Sequence, residues 1–299
     1  DYKVAGQMIV LWLTATRPKT LVASIIPVSL GICLAVRQVG SDNINILLAI
    51  LCFAFALLVQ VSTNFYNDYS DHLKGADDQR TLGPPRLAQE GLLDGKSLRN
   101  ASYIILLLAF GMGLYIMEKS GASRWLLLVG ITSVLCALGY TGGPIPFAYN
   151  GLGDVFVILF FGFVAVCTTH YVLVVASEKA WFPNWTVPLG IGFLINNLLV
   201  INNYRDWETD RDVGKKTLVV LFGKKFGLLL YLLGMAVPLV ICPLIDRQFM
   251  TVTLFILPGA YLYHRLSVAK TKKEYAFLLA GTSILIVCYG FLVACLLAS

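Results

Sequence analysis

Charged residues are scarce in this sequence. Asp, Glu, Lys and Arg make up 13% of its 299 residues, whereas hydrophobic residues make up 58%. An ordinary soluble domain carries about 25% charged residues, so the composition excludes that class of protein. It predicts an all-α integral membrane protein whose chain crosses the lipid bilayer many times.

Two kinds of motif are also missing. The seven cysteines all lie within apolar stretches and none forms a CxxC pair, so neither a zinc site nor a disulfide framework is indicated. No GxxxxGK[ST] motif is present, which argues against an ordinary nucleotide-binding loop. Because no cleavable signal pattern is visible either, we expect the first apolar run to be a membrane span.

Apolar runs of about 20 residues recur along the whole chain. The predicted spans are 21–36, 44–66, 101–117, 125–140, 152–176, 187–201, 226–245, 249–263 and 275–297. We therefore predict one bundle of nine transmembrane helices over residues 1–299. Two longer connections, at about 67–99 and 203–225, are predicted to form cap loops on the cytoplasmic side.

The distribution of positive charge predicts the orientation of this bundle. Most of the 23 Lys and Arg residues lie in the N-terminal segment or in the loops after the even-numbered spans. Because positive residues are retained in the cytoplasm, we expect the N-terminus inside and the C-terminus outside. The net charge of +6 is then explained by topology, and it gives no reason to invoke nucleic acid.

Polar residues gather on the predicted cytoplasmic side in two clusters that each end an apolar run. The clusters read NFYNDYSDHLKGADD at 64–78 and NNYRDWETDRDVGKK at 202–216. At an offset of 139 residues the matched pairs are Asn64 with Asn203, Asn67 with Asp206, Asp71 with Asp210, and Gly75 with Gly214. Such a weak internal repeat is how many helical membrane proteins build a site between their halves.

These clusters offer oxygen ligands suited to a hard cation. Residues four apart share one helix face, so Asn67 and Asp71 point together, as do Asp206 and Asp210. With no Cys or His at ligand spacing, the set favours Mg²⁺, which takes one or two carboxylates and completes its shell with water and substrate phosphate oxygens. The sequence thus predicts a Mg²⁺ cofactor and a phosphorylated substrate.

Basic residues follow both clusters, where they can neutralise phosphate oxygens that the metal does not reach. They are Lys74, Arg80, Arg86, Lys215 and Lys216.

Two other interpretations compete with a metal and phosphate site. Acidic residues at a helix end can simply cap it or face water. Matched polar breaks are also typical of secondary transporters, whose substrate site lies near the bilayer midplane. Here the middles of the predicted spans contain no Asp, Glu, Lys or Arg, so an enzyme acting at the cytoplasmic face is favoured over a transporter.

The motifs NDYSDHLKGAD and DWETDRDVGKKTL resemble the two aspartate-rich motifs of the UbiA-type intramembrane aromatic prenyltransferases, a family with nine transmembrane helices. RPKT at 17–20, YTGGPIPFAYNGLGD at 140–154 and the order of the spans match as well. The first motif departs from the family pattern, because Gly75 stands at the third acidic position and Asp77 follows two residues later. That departure and RTLGPPR at 80–86 resemble the branch that prenylates 1,4-dihydroxy-2-naphthoate in menaquinone or phylloquinone synthesis.

The resemblance implies Mg²⁺-dependent transfer of a prenyl group from a prenyl diphosphate to an aromatic acid, with loss of carbon dioxide in this branch. The alternative acceptors are 4-hydroxybenzoate and homogentisate. The implied metal ligands are Asn67, Asp68, Asp71, Asp77, Asp206 and Asp210. Asp71, Asp210 and Tyr140 are the residues expected to carry the chemistry. We expect the protein in a bacterial plasma membrane, with its active site facing the cytoplasm.

Several other residues have two possible roles. Tyr140 either faces the allylic cation or anchors the chain at the membrane interface. Arg17 and Lys19 either bind the carboxylate of the acceptor or serve as inner-face anchors. Asp154 either caps the fifth span or orients the acceptor.

Asn64 and Asn203 are expected to assist the substrate site. The long connection between Asp71 and Arg99 is expected to be a flexible cap that closes over the diphosphate and excludes water.

Overall fold

The computed structural model describes residues 2–75, 82 and 86–299, and for residues 2–5 and 19 it describes the backbone alone. In chain order, the helices of this described part are α1 (Tyr2–Ala15), α2 (Val22–Val39), α3 (Ile46–Leu73), α4 (Gly95–Ser120), α5 (Trp125–Gly139), α6 (Gly153–Val175), α7 (Thr186–Arg205), α8 (Trp207–Asp212), α9 (Leu218–Phe222), α10 (Lys224–Ile245), α11 (Ile256–Val268) and α12 (Lys272–Ala298). Short 3₁₀ segments occupy Pro18–Thr20, Ser41–Asn43, Phe147–Tyr149 and Arg247–Phe255.

The predicted all-helical membrane architecture is confirmed. In the described residues, seven helices are long and apolar enough to cross a membrane, namely α2, α3, α4, α6, α7, α10 and α12. The predicted span at 125–140 is the 15-residue α5, and the one at 249–263 is divided between Arg247–Phe255 and α11. Both are shorter than the roughly 20 helical residues that a straight crossing needs. Nine crossings and the orientation of the termini therefore stay predictions.

Helix α7 lies at the centre of the bundle. Of its apolar stretch 72% is buried, a larger share than in any of the other six candidate spans, as expected of a helix that is apolar on all sides. It packs against α6, α10 and α12, and its residues Ile191, Leu194 and Ile201 are fully buried in the main hydrophobic cluster. The second acidic cluster is thus attached to the most enclosed helix of the fold.

Helices α6 and α7 cross with their backbones in contact. A Cβ atom on Gly162 would lie 2.5 Å from the carbonyl oxygen of Pro188, and one on Gly192 would lie 2.8 Å from that of Ile158. Small residues let membrane helices approach this closely. The α6 side of the crossing is the π-helical segment Ile158–Val164.

Helix α3 is held against α4 by a polar contact close to the first acidic cluster. The hydroxyls of Ser62 and Ser102 each donate to the other residue's carbonyl oxygen at 2.9 Å, and both side chains are buried. Hydrogen bonds between helices stabilise packing in an apolar environment. They fix the C-terminal part of α3, which carries Asn64 to Asp71.

The α6–α7 crossing leads to a stability prediction. Gly162→Ala is expected to lower the melting temperature in detergent, because the added methyl group overpacks the crossing at a typical cost of about 1–3 kcal/mol. Gly111→Ala is the matched control, since a Cβ there meets no atom within 4 Å and alanine favours a helix by up to about 1 kcal/mol over glycine. Thermal unfolding of both variants beside the wild type is the measurement. Equal melting temperatures for the two variants would contradict the tight crossing.

Candidate active site

A cavity of about 1240 Å³ brings the two acidic clusters together. The polar part of its lining includes Arg17, Asn64, Asn67, Asp68, Asp71, Arg86, Tyr140, Thr141, Asp154, Asn203, Arg205, Asp206 and Lys215. Most of the residues singled out from the sequence therefore face one space. Ligand pockets usually measure about 300–1,000 Å³, so this cavity is large.

The rest of the cavity is lined mostly by apolar side chains and runs deep into the bundle. Its walls include Phe55, Phe110, Leu126, Phe156 and Phe160. Along α3 the lining extends from Asp71 to Cys52, which is about 28 Å at the helical rise of 1.5 Å per residue. Such a space fits a molecule with an anionic head and a long apolar tail.

The C-terminal part of α3 presents its polar residues on one face. Asn64, Asn67, Asp68 and Asp71 follow the i, i+3, i+4, i+7 spacing of a helix stripe, and all four line the cavity. Asp68 and Asp71 are buried, with about 5% of each residue or less exposed. The predicted sharing of a face by Asn67 and Asp71 is confirmed.

The two clusters each end in a turn of the same type. The Gly75 N–H donates to the His72 carbonyl at 3.1 Å, and the Gly214 N–H donates to the Arg211 carbonyl at 3.0 Å. Both glycines have positive φ, 65° and 73°, a conformation that favours glycine. The sequence match at an offset of 139 therefore extends to backbone geometry.

The second cluster differs in one respect, because its helix breaks. Helix α7 ends at Arg205 and α8 begins at Trp207, with Asp206 between them. The Asp210 N–H still donates to the Asp206 carbonyl at 2.8 Å, so the two acids stay one helical turn apart. Asp206 lines the cavity, whereas Asp210 is not part of its described lining and lies 3.3 Å from Lys215 Nζ. The predicted sharing of one face by Asp206 and Asp210 is therefore not seen in the lining.

Four aspartates of the two clusters each have a basic side chain beside them. The nitrogen–oxygen distances are 4.0 Å for Arg17–Asp68, 3.7 Å for Arg86–Asp71, 2.7 Å for Arg205–Asp206 and 3.3 Å for Lys215–Asp210. Buried charges are costly unless they are paired. These pairs let four carboxylates lie at the end of an apolar cavity.

Arg205 was not among the residues predicted for the site. Its Nε and Nη2 atoms donate to the two carboxylate oxygens of Asp206, both at 2.7 Å. Only 1% of its side chain is exposed, so it is the most deeply buried of the four cations. The sequence does offer one indication of its role, because Arg205 closely follows an apolar span and directly precedes Asp206, a predicted metal ligand.

Tyr149 is the second functional residue that the sequence analysis missed. It lies in the 3₁₀ segment between α5 and α6, and its hydroxyl donates to Asp71 Oδ1 at 2.8 Å. Lys74 Nζ lies 4.2 Å and Lys215 Nζ 5.5 Å from the centre of its ring. No periodicity shows that this loop returns to α3, so the contact could not be found from the pattern.

The Tyr140–Thr141 segment docks on α3. Thr141 Oγ1 donates to Asn67 Oδ1 at 2.8 Å, and Ser70 Oγ donates to the Thr141 carbonyl at 2.8 Å. Lys74 Nζ also donates to that carbonyl. The pKa of Lys74 is lowered from its ordinary value, chiefly because the side chain is partly buried. The nearby Asp71 carboxylate opposes this shift, and the positive charge of Lys215 adds to it.

Arg17 is held in an unusual backbone conformation. Its φ of 52° and ψ of 66° are left-handed, which is uncommon for a residue other than glycine and concentrates at functional sites. Asn64 Nδ2 stabilises this turn by donating to the Thr16 carbonyl at 2.9 Å and lies 3.3 Å from Thr20 Oγ1. The side-chain amide of Asn64 thus positions Arg17. The role of Arg17 in binding substrate stays a prediction.

Asp154 and Tyr140 contribute to the lining of the cavity from the start of α6 and from the residue after α5. Asp154 is buried in the first turn of α6 and accepts a hydrogen bond from Asn196 Nδ2 at 2.9 Å. Tyr140 directly follows α5 and borders the same cavity. Asn203 is buried at the end of α7 and also lines it.

Some predicted residues are placed elsewhere or are not described. Lys74 and Lys216 do not belong to the described lining of the cavity, and Lys216 is exposed. Asp77, Arg80 and the side chain of Lys19 lie outside the described residues.

The predicted cap at 67–99 is described in part, and Leu82, Arg86 and Leu87 of this segment line the cavity. Leu87 and Ala88 are buried in a cluster with Ala15 and Phe65, and Leu82 packs against the main core cluster. The second predicted cap, at 203–225, contains α8 and α9. The cap function of both stays a prediction.

The donor set fits Mg²⁺. In the described residues no group of three or more His, Cys, Asp or Glu could hold a metal, but Mg²⁺ needs only one or two carboxylates when phosphate oxygens complete its shell. Asp68 Oδ1 is buried and accepts no hydrogen bond from any described group. A buried carboxylate oxygen facing a cavity is a suitable ligand for a hard cation.

Comparison with known proteins gives a consistent picture. Residues 24–285 match the model of the UbiA prenyltransferase family. The chain is 32% identical over 230 residues to 1,4-dihydroxy-2-naphthoate octaprenyltransferase of Haemophilus influenzae, covering 75% of this chain and 73% of that protein.

Two solved structures share the fold. The apo structure of a UbiA homologue from Aeropyrum pernix K1 has a TM-score of 0.69 at 16% identity, covering 92% of this chain and 97% of that one. A UbiA homologue from Archaeoglobus fulgidus bound to GPP and Mg²⁺ has a TM-score of 0.61 at 17% identity, covering 95% of this chain and 99% of that one.

The buried Arg205–Asp206 pair leads to a second stability prediction. Asp206→Ala is expected to destabilise the protein by about 3–5 kcal/mol, because it removes one partner of a buried pair and leaves a buried guanidinium. Asp212→Ala is the matched control, since Arg211 and Asp212 form a pair with over half of each side chain exposed and such pairs contribute about 0–1 kcal/mol. Thermal unfolding in detergent compares them, and an unchanged Asp206→Ala protein would contradict the assignment.

Proposed function

We propose a specific reaction for this chain, which belongs to the UbiA prenyltransferase family and is a prenyltransferase. It transfers a prenyl group from a prenyl diphosphate to 1,4-dihydroxy-2-naphthoate. The reaction depends on Mg²⁺ and releases carbon dioxide, and it serves menaquinone or phylloquinone synthesis. The enzyme lies in a bacterial plasma membrane with nine crossings and a cytoplasmic site. The alternative acceptors are 4-hydroxybenzoate and homogentisate.

One observation carries this proposal. The two acidic clusters meet at one end of a cavity whose remaining lining is mostly apolar. A prenyl diphosphate has the same division, because its head is anionic and its tail is as apolar as lipid. A transporter for a polar solute has no use for the mostly apolar limb that follows α3 from Thr63 to Cys52, about 17 Å at the helical rise.

The acidic residues of the two clusters would hold the metal. On α3 these are Asn67, Asp68 and Asp71, and at the α7–α8 junction they are Asp206 and Asp210; Asp77 is a further candidate ligand. Bound Mg²⁺ supplies a positive charge that stabilises the leaving diphosphate oxygens. The relative from Archaeoglobus fulgidus supports this assignment, since its structure contains GPP and Mg²⁺.

The basic residues complete the binding of the diphosphate. Arg86 and Lys215 already lie at the carboxylates of Asp71 and Asp210, within reach of oxygens that the metal leaves free. Arg and Lys form charge-assisted hydrogen bonds with phosphate. Lys74, Lys216 and Arg80 are assigned to the same role.

The chemistry follows from this arrangement. The bond between the first prenyl carbon and the diphosphate oxygen breaks, and its electron pair leaves with the diphosphate. The resulting allylic cation is stabilised by the ring of Tyr140 at the cavity wall, because an aromatic face attracts positive charge. A ring carbon of the acceptor then forms the new bond, and its carboxylate leaves as carbon dioxide. The apolar walls and the cap keep water from capturing the cation.

Arg17 is assigned to the acceptor. A guanidinium matches a carboxylate in two parallel hydrogen bonds, and its left-handed backbone places it at the cavity near Asp68. The name of the Haemophilus influenzae relative supports the naphthoate acceptor. Asp154, Asn64 and Asn203 line the same cavity and are assigned to orienting the substrates, with Lys19 as a further basic residue of this segment.

The metal site is tested by removing its ligands. Asp71→Ala and Asp210→Ala are expected to abolish turnover while the protein stays folded in detergent, because water alone cannot replace carboxylate ligands. EDTA should do the same to the wild type, and added Mg²⁺ should restore it. Asp77→Ala is expected to matter less, because its spacing departs from the family motif. Full activity in EDTA or in either of the first two variants would overturn the metal and diphosphate assignment.

The acceptor is tested by product mass and by a conservative variant. The product should have the mass of the acceptor plus the prenyl group minus carbon dioxide. Arg17→Lys is expected to raise the KM of the acceptor and to leave that of the prenyl diphosphate nearly unchanged, because lysine keeps the charge but loses the fork. Steady-state kinetics and mass spectrometry are the measurements. A product that retains its carboxylate would exclude the decarboxylating branch, and a defect confined to the diphosphate would move Arg17 to the leaving group.

A further inference from the structure

Tyr149 contacts both acidic clusters although it belongs to neither. Its hydroxyl donates to Asp71 Oδ1 of the first cluster at 2.8 Å. Its ring lies 5.5 Å from Nζ of Lys215, whose other neighbour is Asp210 of the second cluster at 3.3 Å. The side chain of Tyr149 thus links Asp71, a predicted metal ligand of the first cluster, with Lys215. Lys215 is the basic partner of Asp210, a predicted metal ligand of the second cluster.

The backbone around Tyr149 is tied to the second cluster as well. The Lys216 N–H donates to the Tyr149 carbonyl at 3.0 Å, and Asn150 and Lys216 form an isolated parallel bridge. This pairing fixes the position of the 3₁₀ segment relative to the loop after α8. The hydroxyl of Tyr149 is therefore aimed at Asp71 from a point that the second cluster determines.

The hydrogen bond has a specific effect on Asp71. It occupies Oδ1, while Oδ2 lies 3.7 Å from Arg86 Nη2. A carboxylate held at one oxygen by a fixed donor keeps one orientation and presents its remaining lone pairs in a defined direction. Partners of this kind commonly change metal affinity or activity by about 10- to 100-fold when they are removed.

The ring has a separate effect on the lysines. Lys74 Nζ lies 4.2 Å from its centre, so the same aromatic group attracts one lysine from each cluster. Cation–π contacts at partly exposed sites are modest, but here they gather two positive charges beside Asp71. Loss of the ring is expected to spread these charges, whereas loss of the hydroxyl alone is not.

We propose that Tyr149 is a positioning residue that couples the two acidic clusters, because its hydroxyl orients Asp71 for the metal and its ring holds Lys74 and Lys215 for the diphosphate. This proposal rests on the proposed function. It assigns two separable roles to one side chain, and each role has its own substitution.

Tyr149→Phe removes only the hydroxyl. The concentration of Mg²⁺ that gives half-maximal activity is expected to rise about 10-fold or more, while kcat at saturating Mg²⁺ and the KM of the prenyl diphosphate change little. Tyr149→Leu also removes the ring, and it should in addition raise the KM of the prenyl diphosphate by about two- to fivefold.

A second readout does not depend on turnover. The melting temperature in detergent is followed as Mg²⁺ is titrated in the presence of geranyl thiodiphosphate, a non-reactive analogue, and the midpoint for Tyr149→Phe should shift to higher Mg²⁺. Tyr115→Phe is the matched control, because its ring also lies near a lysine, Lys119 at 5.8 Å, but on an exposed face of α4. It should behave as the wild type.

The outcomes separate the two proposals. If the wild type shows no stabilisation that depends on Mg²⁺, the proposed function fails and the role of Tyr149 fails with it. If the wild type is stabilised and Tyr149→Phe has the same Mg²⁺ midpoint, only the positioning role is overturned. A Tyr149→Phe protein that loses kcat and melting temperature together, with an unchanged Mg²⁺ midpoint, would show a merely structural residue and would also overturn it.

Discussion

The pairing of buried carboxylates with cations is the interaction on which the rest of the site depends. Asp68 and Asp71 lie near the end of a helix whose first fourteen residues, 46–59, are apolar, and an unpaired buried charge there is costly. Arginines from two different segments, Arg17 and Arg86, supply the compensation. Because these arginines come from the turn before α2 and from the loop after α3, charge compensation also decides where both segments must dock.

The glycine crossing of α6 and α7 transmits this constraint to the second half. Close contact at Gly162 and Gly192 fixes the distance between the two helices at their crossing. The Asp154–Asn196 hydrogen bond then joins them one to two turns further along. The wall that carries Asp154 and the helix that leads to Asp206 therefore move as one unit. Tyr149 adds a contact to α3 through Asp71 and one to the loop after α8 through Lys216. The segments that carry the two acidic clusters are therefore connected to each other.

The sequence predicted the elements that follow from local pattern. Apolar runs located every candidate span, and the offset of 139 residues matched Gly75 with Gly214, which share a turn in the structure. It did not predict that α5 has only 15 residues or that the run at 249–263 is divided between Arg247–Phe255 and α11. Hydropathy reports neither the exact end of a helix nor whether an apolar run is continuous α-helix. Arg205 and Tyr149 were missed for a different reason. Their roles come from contacts that only the folded chain creates, one through a helix break and one through a returning loop.

The same pairing has a consequence for binding. Under the proposed function, a metal ion alone must compete with Arg86 and Lys215 for Asp71 and Asp210, and a diphosphate alone must compete with the carboxylates for those cations. Bound together, the metal takes the carboxylates and the diphosphate takes the cations, so no charge is left without a partner. Each ligand then removes the competitor of the other, which makes their binding reciprocally favourable. A site whose charges are already paired in the free protein therefore favours the metal and the diphosphate as a unit, and it disfavours either one alone at the end of an apolar cavity.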